Sequence, residues 1–170
     1  MKIVPIFAPY LHSFQFDEGL DELSRLFDFW TDQEELREHF QIHHEVLEFY
    51  NVEIEEAIEQ TIDNADSLYD LLSENKNSLD CLFENLSPNA SQTIRLPHSK
   101  SKRKWLRLYA IKIESNYYVI TGGAIKQSQK MQDHPQTVEE LQKLDKCRNY
   151  LISEGIFDSD SMIDFIEFEF

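Results

Sequence analysis

Cations are scarce in this chain. Sixteen Lys+Arg stand against 32 Asp+Glu in 170 residues, a formal net charge of −16. That balance excludes a protein that binds polyanions with its whole surface, and it directs attention to where the few cations sit. Cysteine is also nearly missing: Cys81 and Cys147 lie far apart, form no CxxC, and read as two buried, reduced thiols. No run of 18 apolar residues occurs, so no membrane span is predicted. The apolar stretch at the start is short and broken by Pro5 and Pro9, unlike the core of a signal peptide. A cytoplasmic protein without membrane partners is expected. Internal repeats, low-complexity tracts and Gly/Ser linkers are absent as well.

What is present belongs to a folded domain. The chain is 41% hydrophobic and 12% aromatic, enough for one core at this length, and two full domains are not expected. Charge is unevenly placed. Residues 1–94 carry 4 Lys+Arg against 21 Asp+Glu, residues 95–148 carry 12 against 5, and residues 149–170 carry none against 6. A basic segment thus lies between acidic flanks. Its cations either neutralise the acidic helices from within or face an external anion.

Residues 105–131, WLRLYAIKIESNYYVITGGAIKQSQKM, organise the chain. Aromatic and branched residues over 105–113 and 117–120, separated by Glu114-Ser115-Asn116, predict an antiparallel hairpin. Gly122-Gly123 marks a bulge or a close backbone approach, and a polar run containing Lys126 and Lys130 follows. Upstream, residues 2–7 read as a short strand followed by an aromatic-rich loop. Leu20, Leu23, Leu26, Phe27 and Trp30 recur at helical spacing. Thr31 and Glu34 have capping-box spacing and predict a second helix burying Leu36, Phe40, His43 and Leu47. A third helix spans 52–72 with an acidic outer face, and a short fourth covers 79–86, stopped at Ser87-Pro88-Asn89. Residues 91–96 predict another short strand, and residues 97–104, PHSKSKRK, a solvated basic loop. Thr137 and Glu140 open a helix that carries Leu141, Leu144, Cys147 and Leu151 and ends at Gly155. The pattern leaves the last segment open between a helix and an edge strand. His39 and His43 stand at the i,i+4 spacing of two metal ligands, but the glutamate of the HExxH motif is missing, so no metal site is expected. The fold class predicted is one α+β domain over residues 1–170. Residues 1–90 form its acidic helical part and 91–170 a hairpin with C-terminal helices, with a small antiparallel sheet packed on one face by helices.

Residues 106–148 resemble the C-terminal half of the RelE/HigB-like toxin superfamily. The likeness lies in LRLYAIKI, a short turn, YYVITGGAIKQSQKMQ, and the helix-forming TVEELQKLDKCRNYL. That family carries a lysine-rich segment just after a strand of a small sheet. Residues 125–130, IKQSQK, stand in that place, with Gln127 where the second lysine of the family's pair falls. The resemblance covers roughly a quarter of the chain and implies a metal-independent, cofactor-free mRNA endoribonuclease. Its partners would be RNA or the ribosome, and an antitoxin that is often a helix-turn-helix protein. It also implies roles. Lys126 or Lys130 takes the proton of the attacking 2′-hydroxyl, Arg107 and Lys104 hold the phosphate, and Tyr109 or Tyr118 stacks a base. Lys102, Arg103 and Gln129 complete the expected RNA contacts. The charge pattern supports a different function, a non-enzymatic module whose acidic helices bind a basic partner as a nucleic-acid mimic does.

Overall fold

A computed structural model describes residues 1–7, 10–75, 78–86, 96–126 and 135–169, without the side chains of 135–137 and 167–169. The hairpin is its centre. Strand β5 (Leu106–Glu114) and strand β6 (Tyr117–Ile125) are joined at Ser115-Asn116, where Asn116 adopts the left-handed conformation (φ 59°) that Asn tolerates in turns. Four further strands, β1 (Lys2–Phe7), β2 (Leu11–Gln15), β3 (Glu84–Asn85) and β4 (His98–Arg103), complete a six-stranded sheet of order β1-β2-β6-β5-β4-β3. The fold is α+β, as the pattern predicts. Pairing is antiparallel except between β2 and β6, which run parallel, so the sheet is mixed.

Helices cover both faces rather than one. Leu106, Leu108 and Ala110 of β5 point into a core built with α1 (Glu22–Trp30), α2 (Gln33–Ile42), α3 (Glu45–Tyr50) and α4 (Ile54–Glu74). Tyr109, Ile111 and Ile113 point the other way, against α5 (Pro135–Ser153) and α6 (Ser159–Glu169). A central strand buried on both sides reads as a continuous apolar run, which is what LRLYAIKI is.

Along β6 the alternation changes phase. Tyr117 and Val119 belong to the α5 side, Ile120 and Ile125 to the α1 side, and Thr121 is the extra residue of a bulge. Beyond the bulge come the two glycines, and the strand runs on through them. A Cβ on Gly123 would lie 2.6 Å from the Arg107 carbonyl and 2.8 Å from Leu26; one on Gly122 would meet Glu140 and Lys143. The expected close approach is therefore made on both faces.

Several boundaries differ from the sequence reading. β2 stands where a loop is expected. The cap of α2 is Asp32, whose carboxylate accepts from the amides of Glu34 and Glu35 (both 3.0 Å), whereas Thr31 ends α1 by donating to Phe27 O (2.6 Å). The expected second helix breaks at His43-His44 into α2 and α3, and His43 is half-buried at the break. Residues 79–81 form a single 3₁₀ turn, not a helix. Cys81 is exposed, against expectation, while Cys147 is buried. The basic loop is strand β4, and the last segment is helix α6, capped at Asp158, which accepts from the Ser161 amide at 2.8 Å. The expected stop at 87–89 and most of the expected strand at 91–96 lie outside the described residues. Gly155 has φ 73° and terminates α5 as expected, with the Ile156 amide donating to Leu151 O at 2.9 Å. Among the described residues, no helix is long and apolar enough to cross a membrane.

Candidate functional site

The strand β4 alternates small and basic residues, and alternation assigns them to opposite faces. Ser99 and Ser101 pair with Ala110 and Leu108 and are buried toward α4. Lys100 and Lys102 pair with Tyr109 and Arg107 and so fall on the α5 side. Lys126 follows the end of β6, where its amide donates to Trp105 O at 2.6 Å. Lys100, Lys102, Arg107 and Lys126 thereby gather at one corner of the sheet from three adjacent strands.

Burial first, and like charge after it, bears on the titration of Lys126 and Lys100. Burial, then the nearby Arg107, Lys100 and Lys102, hold the Lys126 ammonium below its usual pKa. Burial also lowers Lys100, partly offset by Glu84 and reinforced by Arg107 and Lys102. Glu84, on the edge strand β3, lies 3.9 Å from Lys100 and 3.5 Å from Lys102. Arg107 is only 7% exposed and burial lowers its pKa as well. Its Nη1 donates to the carbonyls of Lys104 (2.6 Å) and Leu106 (2.9 Å), and its buried Nε has no hydrogen-bond partner among the described residues. Such a corner can hold an anion: three strands fix the cations, and a phosphate would relieve their repulsion.

Other expected site residues lie elsewhere. Lys104 turns at φ 53°, sets its ammonium 4.6 Å from the Trp105 ring centre, and bonds Gln60 of α4, on the far side of the sheet. It does not join the group. Arg103 is exposed at the end of β4. Tyr109 and Tyr118 are interior residues, so neither ring offers a face to a base in solution. Burial pushes the Tyr109 hydroxyl up to about 12. Tyr118 stacks on Phe83 and donates to Asp80 at 2.6 Å, and burial followed by that carboxylate raises its pKa. Gln129 and Lys130 lie outside the described residues.

Lys100 and Glu84 are members that the sequence reading missed. Their signal was the alternation HSKSK, which places both β4 lysines on one face once the segment is recognised as a strand. The remaining basic residues of the hairpin region are partly neutralised within the molecule: Lys112 lies 3.3 Å from Asp80, and Lys143 lies 3.2 Å from Glu22. The His39 and His43 rings lie 4.7 Å apart at a tilt of 44°, with His43 3.5 Å from Glu45, and among the described residues no three His, Cys, Asp or Glu are placed to hold a metal ion.

A second charged surface lies on the opposite side. Glu55, Glu59, Asp63, Asp66, Asp70 and Glu74 form an exposed row along α4, and Arg37 pairs with Glu55. Neighbouring carboxylates at i,i+4 destabilise a helix by about 0.2–0.5 kcal/mol per pair.

No protein-family model, curated protein or solved structure matches this chain.

Proposed function

We propose that the corner formed by Lys100, Lys102, Arg107 and Lys126 binds RNA phosphates, and that the protein is a toxin-type mRNA endoribonuclease of the RelE/HigB-like kind, or a diverged relative. The observation that supports this most is the convergence of cations from β4, β5 and β6 on one corner. Burial and then the neighbouring cations lower the Lys126 pKa, which is the direction a general base needs. In the reaction it takes the proton of the 2′-hydroxyl as that oxygen attacks the adjacent phosphorus. The P–O5′ bond breaks, an ammonium of the group returns a proton to the leaving 5′-oxygen, and a 2′,3′-cyclic phosphate remains. Arg107 and Lys102 stabilise the charge on the non-bridging oxygens. An antitoxin would be the protein partner of such a module.

Expression of the chain in bacteria tests the reading. Growth arrest with fragmented mRNA, relieved by Lys126→Ala with Lys130→Ala, is the expected result. Unchanged growth and intact mRNA at full expression would refute it. The exposed acidic row on α4 favours a second reading, a non-enzymatic module binding a basic partner. Under that reading a basic protein co-purifies through residues 17–86 while RNA stays whole.

A further inference from the structure

Past Ile120, no described strand flanks β6 on the β2 side. β2 pairs with it only at Tyr118, Val119 and Ile120. Lys126 N bonds Trp105 O, and Ala124 stands opposite Arg107, so alternation turns the N–H and C=O of Gly123 and Ile125 away from β5. Among the described residues no hydrogen bond reaches these four groups. They face a cleft of about 240 Å³ between two helices, with Leu26, Phe29 and Trp30 of α1 on one wall and Glu139 and Glu140 of α5 on the other. Trp30 Nε1 and Glu140 Oε2 are buried and have no hydrogen-bond partner among the described residues. At the β2 end the cleft is closed where Lys143 of α5 meets Glu22 of α1.

An open strand edge is a template for another strand. We propose that this slot takes an extended segment of a partner protein as a strand added beside β6. α1 and α5 lie on opposite faces of the sheet, so successive residues of the added strand meet different walls. The wall chemistry then sets the sequence: an apolar residue against Leu26, Phe29 and Trp30 alternates with a lysine or arginine against Glu139. Arg25 is held by Glu22 through its Nε (2.9 Å) and Glu140 pairs with Lys143 at 3.4 Å, so the exposed Glu139 is the carboxylate that meets the incoming cation. The contact is short, three residues of β6 or about 10 Å, so the segment binds as one anchor of a larger interface. This inference does not depend on the RNA reading.

The test follows backbone amides of the full chain by NMR. In the free protein the Gly123 and Ile125 amides exchange about 100-fold faster than those of Ala124 and Lys126. Adding the blocked peptide Val-Lys-Val-Lys-Val protects both amides about tenfold and shifts their signals, and an N-methylated version of it does not. Glu139→Lys, an exposed change, weakens the peptide about tenfold by reversing the charge it meets. Four results would overturn the proposal. Protection of Gly123 and Ile125 in the free chain at every concentration means the chain covers its own edge, and protection that grows with protein concentration means a second copy does. Equal binding of the N-methylated peptide, or no shift at millimolar peptide, excludes strand addition.

Discussion

At the scale of single residues, one buried and one half-buried polar group make the fold respond to pH. His12 is 4% exposed on β2, stacked on Tyr117 at 5.3 Å, and burial lowers its pKa to about 4. Folding therefore favours neutral imidazole: its contribution is complete above the unfolded value of about 6.5 and is lost as pH falls through about 4. A shift of this size corresponds to about 3 kcal/mol. Urea unfolding of the wild type should show that loss between those two pH values, and His12→Leu should flatten the profile there. Asp80 acts in the same sense at lower pH. Burial opposes its ionisation, but hydrogen bonds from Tyr118, Asn116, Ser115 and Lys112 outweigh that and hold its carboxyl below the usual range. Its contribution is present above about pH 4 and lost as pH falls through the folded-state value. It ties the 3₁₀ turn to the hairpin tip, since the Asp80 amide also donates to Asn116 Oδ1 at 3.0 Å. Asp80→Ala should cost about 2 kcal/mol in the urea midpoint at neutral pH.

Among the elements, the hairpin and α4 were legible because their side chains repeat with the period of their backbone. LRLYAIKI is buried on both faces, and Ala57, Ile58, Ala65, Leu68 and Leu72 fall on one stripe. β4 was not legible, because the residues it buries are Ser99 and Ser101 and no apolar residue marks its inner face. The same cause hid half of the candidate site, since the position of Lys100 and Lys102 depends on β4 being a strand. β2 was obscured because its inward residues include Ser13, whose hydroxyl accepts from the Leu23 amide at 2.9 Å. The glycine pair reads as a bulge or a close approach. The bulge falls one residue earlier, at Thr121; the close approach is met at Gly123, and the strand continues through both glycines. Gly123→Ala should destabilise by about 2 kcal/mol, because the added methyl meets the Arg107 carbonyl and Leu26, and it should lower the thermal midpoint.

For the whole molecule, charge is separated by the sheet: the cation corner on the α5 side, the acidic row on the surface of α4. Net charge alone described neither. The total of −16 hides a local excess of cations, and a phosphate chain that docks there meets those cations first only if its path avoids the acidic helices. Such binding releases counterions, so it weakens as salt rises. The most direct measurement is the affinity of a short single-stranded RNA across a salt series, for the wild type and for Lys100→Gln, Lys102→Gln and Lys126→Gln combined. The account predicts that the triple variant, folded by circular dichroism, binds at least about tenfold more weakly. Its salt slope should be shallower by about two, since each phosphate no longer neutralised removes roughly 0.7. A wild type that does not bind RNA at low salt, or a triple variant with the same affinity and slope, would contradict it.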